Sequence, residues 1–298
     1  MTRRNFATRL QDAQTGSASV IVADGATGTM LQAAGLPPGT PPEGWLLDNA
    51  EAVFDVHRAY IEAGSELILT CTFGATRPRL ERSGLDDRLD DINRRAVEIA
   101  REAAGDEAFV AGDIGPMGEF LAPLGDLTYQ EAVDIFSEQA NALTGAGVDV
   151  LYIETMAALE EVQAAVEGAL QVANGTPVTA TLSFDSHGRT NMGTRPEEAA
   201  KILLDLGVDA LGANCGATLD MTLGAVETMH QVAPEMPLVV KPNAGKPRMV
   251  DNEVVYDATP EDMAGYAHQF VALGAKVVGG CCGSTPEHIA AIAEALRS

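Results

Sequence analysis

The chain has 298 residues, 46% of them apolar and 21% charged, and its 43 acidic and 19 basic side chains give a formal charge of −24. Such a surface repels a nucleic-acid backbone or an anionic membrane, and no apolar run of about 18 residues offers a membrane span. Four cysteines (Cys71, Cys215, Cys281 and Cys282) are too few and too scattered for a disulfide framework and fit a reducing, cytoplasmic setting.

Residues 1–19 carry basic side chains without the apolar core of a secretory signal. They are expected to form an N-terminal extension, a helix, ahead of a single domain over 20–298. Eight apolar runs follow as predicted strands: 20–23, 66–70, 108–112, 149–153, 177–182, 209–213, 237–241 and 275–279. The runs are continuous rather than alternating, as in strands covered on both faces. Helical patterns separate them at 50–63, 87–104, 128–146, 158–173, 196–206, 220–232 and 260–273. One phrase recurs at the joints: "AGSELILT" from Ala63, "AGVDVLYIE" from Ala146, "LGVDALGAN" from Leu206 and "LGAKVVGGC" from Leu273. Glycine stops a helix there, and a strand begins two residues later. Eight such alternations predict a (β/α)8 barrel, which typically needs about 250 residues. A doubly wound sheet is the second choice.

The predicted strands exit into polar or metal-capable residues: Asp24, Thr70-Cys71-Thr72, Asp113, Glu154, Ser183, Asn214-Cys215, Lys241 with Asn243, and Cys281-Cys282. In a barrel the C-terminal strand ends form the active face. Three long loops, after strands 3, 5 and 7, leave the same face and are rich in Gly, Pro, Met and Asn.

"GGCCG" admits three readings: a packed pair of small residues, a vicinal disulfide, or part of a thiolate metal site. Cys215 ends strand 6 and Cys281-Cys282 end strand 8, and alternate strands of a barrel share layers. Three thiols at one point need a cation. Zn²⁺ suits sulfur ligands, and three protein ligands leave a fourth position open, as in catalytic sites. A site with three thiolates polarises water poorly and suits capture of a substrate thiol, so alkyl transfer to sulfur is the expected chemistry.

The motifs "DGATGTMLQ", "LTCTFGATRPRL", "GDIGP", "IETM", "GANCG", "KPNAGKP" and "GGCCGSTPEHI" together resemble the homocysteine S-methyltransferase family over nearly the whole chain. That family includes the homocysteine-binding module of cobalamin-dependent methionine synthase and enzymes that use betaine or S-methylmethionine. The resemblance implies a homocysteine-binding zinc barrel with Cys215, Cys281 and Cys282 as ligands and catalytic centre. It implies that Asp24 and Glu154 hold the amino group of homocysteine, with the backbone around Gly25 and Ala26 near its carboxylate. Thr72 and Phe73 would shape the thioether part of the pocket, and Asn214 and Asn243 would line the mouth. Cys71 departs from the expected ligand pattern and reads as a small half-buried residue.

The wording of the motifs is closer to methionine synthase than to the betaine enzyme. No barrel-sized stretch remains for a corrinoid domain, so a methylcorrinoid donor would come on a separate protein. The one Trp, Trp45, does not make the aromatic cage that a betaine site would favour. Betaine, S-methylmethionine or another sulfonium is the alternative donor. Two further classes stay open: a Schiff-base aldolase on Lys241, and a non-catalytic zinc- or thiol-binding subunit of a methyltransfer complex.

Overall fold

The computed structural model describes residues 5–250 and 253–297. Eight parallel strands form the barrel: β1 (Ile21–Val22), β2 (Leu67–Leu69), β3 (Phe109–Ile114), β4 (Val150–Met156), β5 (Val178–Leu182), β6 (Ala210–Cys215), β7 (Leu238–Pro242) and, after a hairpin, β10 (Ala275–Val278). Each lies beside its neighbour in sequence from β2 round to β7, then β10, then β1. A parallel bridge between Ala23 and Leu67 joins the first strand to the second, and Asp24 N–H donates to Leu67 O at 3.0 Å. This is a (β/α)8 barrel with its helices outside.

The joints show why the sequence folds so regularly. The helix Tyr129–Ala146 starts with a capping box between Thr128 and Glu131 and stops at Gly147, where φ is 90°. Pro196–Leu206 stops in the same way at Gly207, with φ of 77°. A left-handed residue after a helix is nearly free only for glycine. Each stop turns the chain into the next strand.

Two cores result. Between sheet and helices lies the larger one, which includes Val53, Ile92, Phe136, Val166 and Leu203. The smaller one fills the barrel with Ile21, Leu67, Leu69, Phe109, Ala111, Val150, Tyr152, Val239 and Val277. Strand alternation therefore points Phe109, Ala111 and then Asp113 inward from β3, and Val150, Tyr152 and then Glu154 from β4. The inner layers are apolar below and polar on top. Phe6 and Leu10 of the N-terminal helix Phe6–Thr15 join the inner core from below; the Phe6 ring meets Phe109 edge-on, with centroids 5.5 Å apart.

One element departs from the predicted pattern. The loop after β7 folds into an antiparallel hairpin of β8 (Pro247–Val250) and β9 (Glu253–Tyr256), which pairs Pro247 with Tyr256. Its strands are four residues long and sit in Gly, Pro and Asn-rich sequence, so they read as loop. Among the described residues no helix is long and apolar enough to cross a membrane.

Candidate metal centre and adjoining pocket

The three cysteines meet. Ligand atoms of Cys215, Cys281 and Cys282 all lie within 4.8 Å of one another, although β6 and β10 are far apart in sequence. Their loops are stitched by backbone hydrogen bonds: Cys281 N–H to Pro242 O at 2.7 Å, Ala244 N–H to Cys282 O at 2.9 Å and Asn243 N–H to Cys215 O at 3.3 Å. Cys215 itself has φ of 59°. A non-glycine residue there carries strain of about 1–3 kcal/mol, which persists only where the surroundings over-determine it. Thr155, at the end of β4, has φ of 60° and is held by Asn214, whose Oδ1 accepts the Thr155 N–H at 2.8 Å. Two strained residues thus frame the mouth.

The chemistry of the donor set fits a thiophilic cation. The mutual hydrogen bond with Cys281 pushes the Cys215 thiol up to about 12, and the contact with Cys215 pushes Cys282 up to about 11. Hydrogen bonding from Cys215 favours the Cys281 thiolate, but Cys282 and burial leave this thiol well above its ordinary range. Without a cation the three keep their protons. Each also has a polar neighbour of its own. Asn243 beside Cys215 and Tyr256 beside Cys282 favour the thiolate forms, and Asn214 Nδ2 lies 3.9 Å from Cys281 Sγ. Such neighbours stabilise thiolates and orient metal ligands. Zn²⁺, which takes sulfur ligands, is a cation that this donor set would hold. Cys71 is different: it is 4% exposed and belongs to the outer core, and burial pushes its thiol well up. It stands outside the metal group.

Beside the thiols is a cavity of about 230 Å³, lined among others by Gly25, Ala26, Phe73, Asp113, Glu154, Lys241 and the three cysteines. Its wall is acidic. Lys241 Nζ donates to Asp24 Oδ1 at 2.7 Å, with side-chain exposures of 3% and 1%, and Asp24 Oδ2 accepts the Leu69 N–H at 2.7 Å. Burial would pull Lys241 down, but Asp24 and Glu154 outweigh it and hold the ammonium above its ordinary value. Glu154 is pushed up by burial, against the pull of Lys241.

Of the residues singled out from sequence, Gly25, Ala26, Thr70, Phe73, Asp113, Glu154, Lys241 and all four cysteines reach the cavity, Cys71 outside the metal group. Asp24 sits behind its wall, bonded to Lys241. Thr72 is fully buried, with its hydroxyl donating to Asp113 O at 2.7 Å, so it props the β2 and β3 ends. Asn214 and Asn243 stand by the sulfurs. Ala26 spends its N–H on Ser284 O at 3.3 Å, and Tyr60 Oη donates to that same oxygen at 2.8 Å. Gly25 is needed at this seam, since a Cβ there would come within 2.8 Å of the Tyr60 ring. Trp45 packs against the core.

Sequence reasoning missed two contributors. Tyr256 comes from the unanticipated hairpin and carried no local signal. Glu43 lines the cavity from a Pro-rich loop and accepts the Gly74 N–H at 2.6 Å.

The comparisons agree with this geometry. The family model described as homocysteine S-methyltransferase matches residues 21–296. A methionine synthase of Mycobacterium tuberculosis is 31% identical over 299 residues, covering 95% of this chain and 25% of that protein; a similar share holds for the Mycobacterium leprae enzyme, at 24%. The chain therefore spans about a quarter of the length of these relatives. Betaine–homocysteine S-methyltransferase 1 of Mus musculus is 31% identical over 300 residues, covering 93% of this chain and 72% of that protein. Among solved structures, the homocysteine methyltransferase MmuM from Escherichia coli in its metallated form superposes with a TM-score of 0.81 at 27% identity, covering 97% of this chain and all of the other. With its zinc-compatible cysteine trio at the mouth of a (β/α)8 barrel, the chain belongs to the homocysteine S-methyltransferase family.

Proposed function

We propose that the chain methylates the thiol of homocysteine to give methionine, with Zn²⁺ held by Cys215, Cys281 and Cys282. The observation that carries this reading is the juxtaposition of three sulfurs with an acidic, amino-acid-sized cavity. Zinc, when bound, supplies a lowered thiol pKa to a substrate sulfur.

The protein does the rest by placement. Glu154 receives the substrate ammonium at the top of β4, and Lys241 in the same wall is held by Asp24 behind it. The Gly25 backbone faces the carboxylate, since the Ala26 N–H is already bonded to Ser284 O. Phe73 gives the methylene chain an apolar wall. Held at both ends, the substrate presents its sulfur toward the cysteines and its open side toward the mouth, where proximity contributes most.

For the donor, we favour a methylcorrinoid brought by a separate protein. Phe73 is the one aromatic residue that lines the cavity among the described residues, which leaves a methylated ammonium without the cage that favours it. Loops of the active face also expose large apolar side chains: Phe120 at 59%, Leu124 at 69% and Met249 at 68%. Exposed apolar groups on a chain of formal charge −24 suit a protein-borne donor. A small sulfonium or betaine is the second reading, favoured by the acidic cavity, which attracts cations.

A donor screen tests both. Zinc-loaded protein with homocysteine is offered methylcobalamin, S-methylmethionine, betaine, dimethylsulfoniopropionate and methyltetrahydrofolate separately, and methionine is measured. Turnover with S-methylmethionine or betaine and none with methylcobalamin rejects the corrinoid reading. Homocysteine binding without turnover on any donor leaves a non-catalytic subunit.

A further inference from the structure

Beyond Glu154 two carboxylates line the cavity: Glu43, which accepts the Gly74 N–H, and Asp113. Asp113 ends the inward series of β3 and is 6% exposed. It lines the cavity, and its Oδ1 is buried with no hydrogen-bond partner. The backbone beneath it is fastened. Thr70 Oγ1 accepts the Asp113 N–H at 3.0 Å, and Asp113 O accepts from Thr72 Oγ1 at 2.7 Å and from Gln139 Nε2 at 3.3 Å. Burial first and Glu154 second push its carboxyl well above the ordinary range, so the two acids feel each other.

The charges at this wall do not balance. Glu43 is satisfied by the Gly74 N–H, but Asp24, Asp113 and Glu154 share one cation, Lys241, and Asp24 already accepts from it at 2.7 Å. A buried carboxylate without a partner is unfavourable unless it takes up a proton or meets a cation. The molecule that enters this cavity under the functional reading carries an ammonium with three donors.

We propose that Asp113 is the second carboxylate of the substrate-ammonium site, paired with Glu154, and that Asp24 acts from behind by anchoring Lys241. The inference rests on the homocysteine reading and refines it: selection of an amino acid over a plain thiol resides in Asp113 together with Glu154. The competing account makes Asp113 a protonated structural acid, for which an amide is an adequate substitute.

Calorimetry on zinc-loaded protein separates the two, with homocysteine and its desamino analogue 4-mercaptobutyrate as ligands. In Asp113→Asn, homocysteine should weaken by about tenfold or more, the scale of one charge-assisted hydrogen bond. The analogue should bind as in the wild type, and zinc content should stay full. Asp113→Ser, which removes volume, replaces this variant should the amide fail to fold. No loss, or a loss shared by both ligands, overturns the proposal. A wild-type protein that ignores homocysteine defeats the functional reading itself, a distinct result.

Discussion

Lys241 and Asp24 lie 217 positions apart in sequence and form a buried ion pair of 2.7 Å at the seam where the barrel closes. The pair ties β7 to the end of β1, and the Tyr152 ring flanks the ammonium at 5.6 Å. Lys241→Met would leave Asp24, Glu154 and Asp113 without their cation. Loss of one partner of a buried pair costs about 3–5 kcal/mol. Denaturant unfolding should show a midpoint shift of that size, and a change below about 1 kcal/mol would mean that the pair is no strut.

Zinc content tests the metal centre directly. Cys215→Ala, Cys281→Ala or Cys282→Ala should strip the metal and abolish methyl transfer while the barrel stays folded, because the inner core lies below the site. Cys71→Ser should keep both zinc and activity. Full zinc in Cys215→Ala would sink the assignment of the ligands, and zinc loss in Cys71→Ser would sink the exclusion of the fourth thiol.

Tyr256 brings the hairpin to the metal centre, where its hydroxyl favours the Cys282 thiolate. Removing such a supporting contact typically weakens metal binding by about 10–100-fold. Competition against a chelator should place Tyr256→Phe in that range, with an unchanged unfolding midpoint for the apo protein. Equal zinc affinity in the two proteins would reduce the tyrosine to a hairpin packing residue.

His57 gives the fold an acid limb. It is fully buried on the helix Ala50–Glu62, and neither ring nitrogen has a partner. Burial lowers its pKa from 6.5 to about 4, against the pull of Asp24. The folded value is depressed, so the unfolded chain takes up the proton first. The associated stability is complete above 6.5 and is lost as the pH falls towards 4. The difference amounts to about 3 kcal/mol. His57→Leu should flatten the stability profile across this window relative to wild type. Parallel profiles would show that other groups set the acid limb.

Much of this was legible in the sequence, for local reasons. Helix stops at Gly147 and Gly207 and the continuous apolar runs announce α/β alternation, and eight repeats announce a closed barrel. Strand exits then place Glu154, Cys215, Cys281 and Cys282 on one face, and thiol chemistry supplies the metal. What escaped depends on ring closure. Asp24 shows its polarity in sequence, but only the meeting of β1 with β10 and β7 hands it to Lys241. Asp113 stands at a strand end like its neighbours, and nothing local shows that its carboxyl lacks a partner. Tyr256 needs a hairpin whose strands are too short to recognise.

The N-terminal helix gives the barrel a floor. Phe6 and Leu10 close the inner core from below, and the apolar layers of that core lie between them and the cavity, which therefore fills and empties at its rim. Its occupants must queue. Under the proposed methyl transfer, an amino acid seated against Glu154 arrives before a donor that covers the mouth, and the methylated product leaves after the spent donor. Methionine should then compete with homocysteine and not with the donor in steady-state inhibition. In that reading the order of binding follows from a barrel packed shut at the end remote from the reacting atoms.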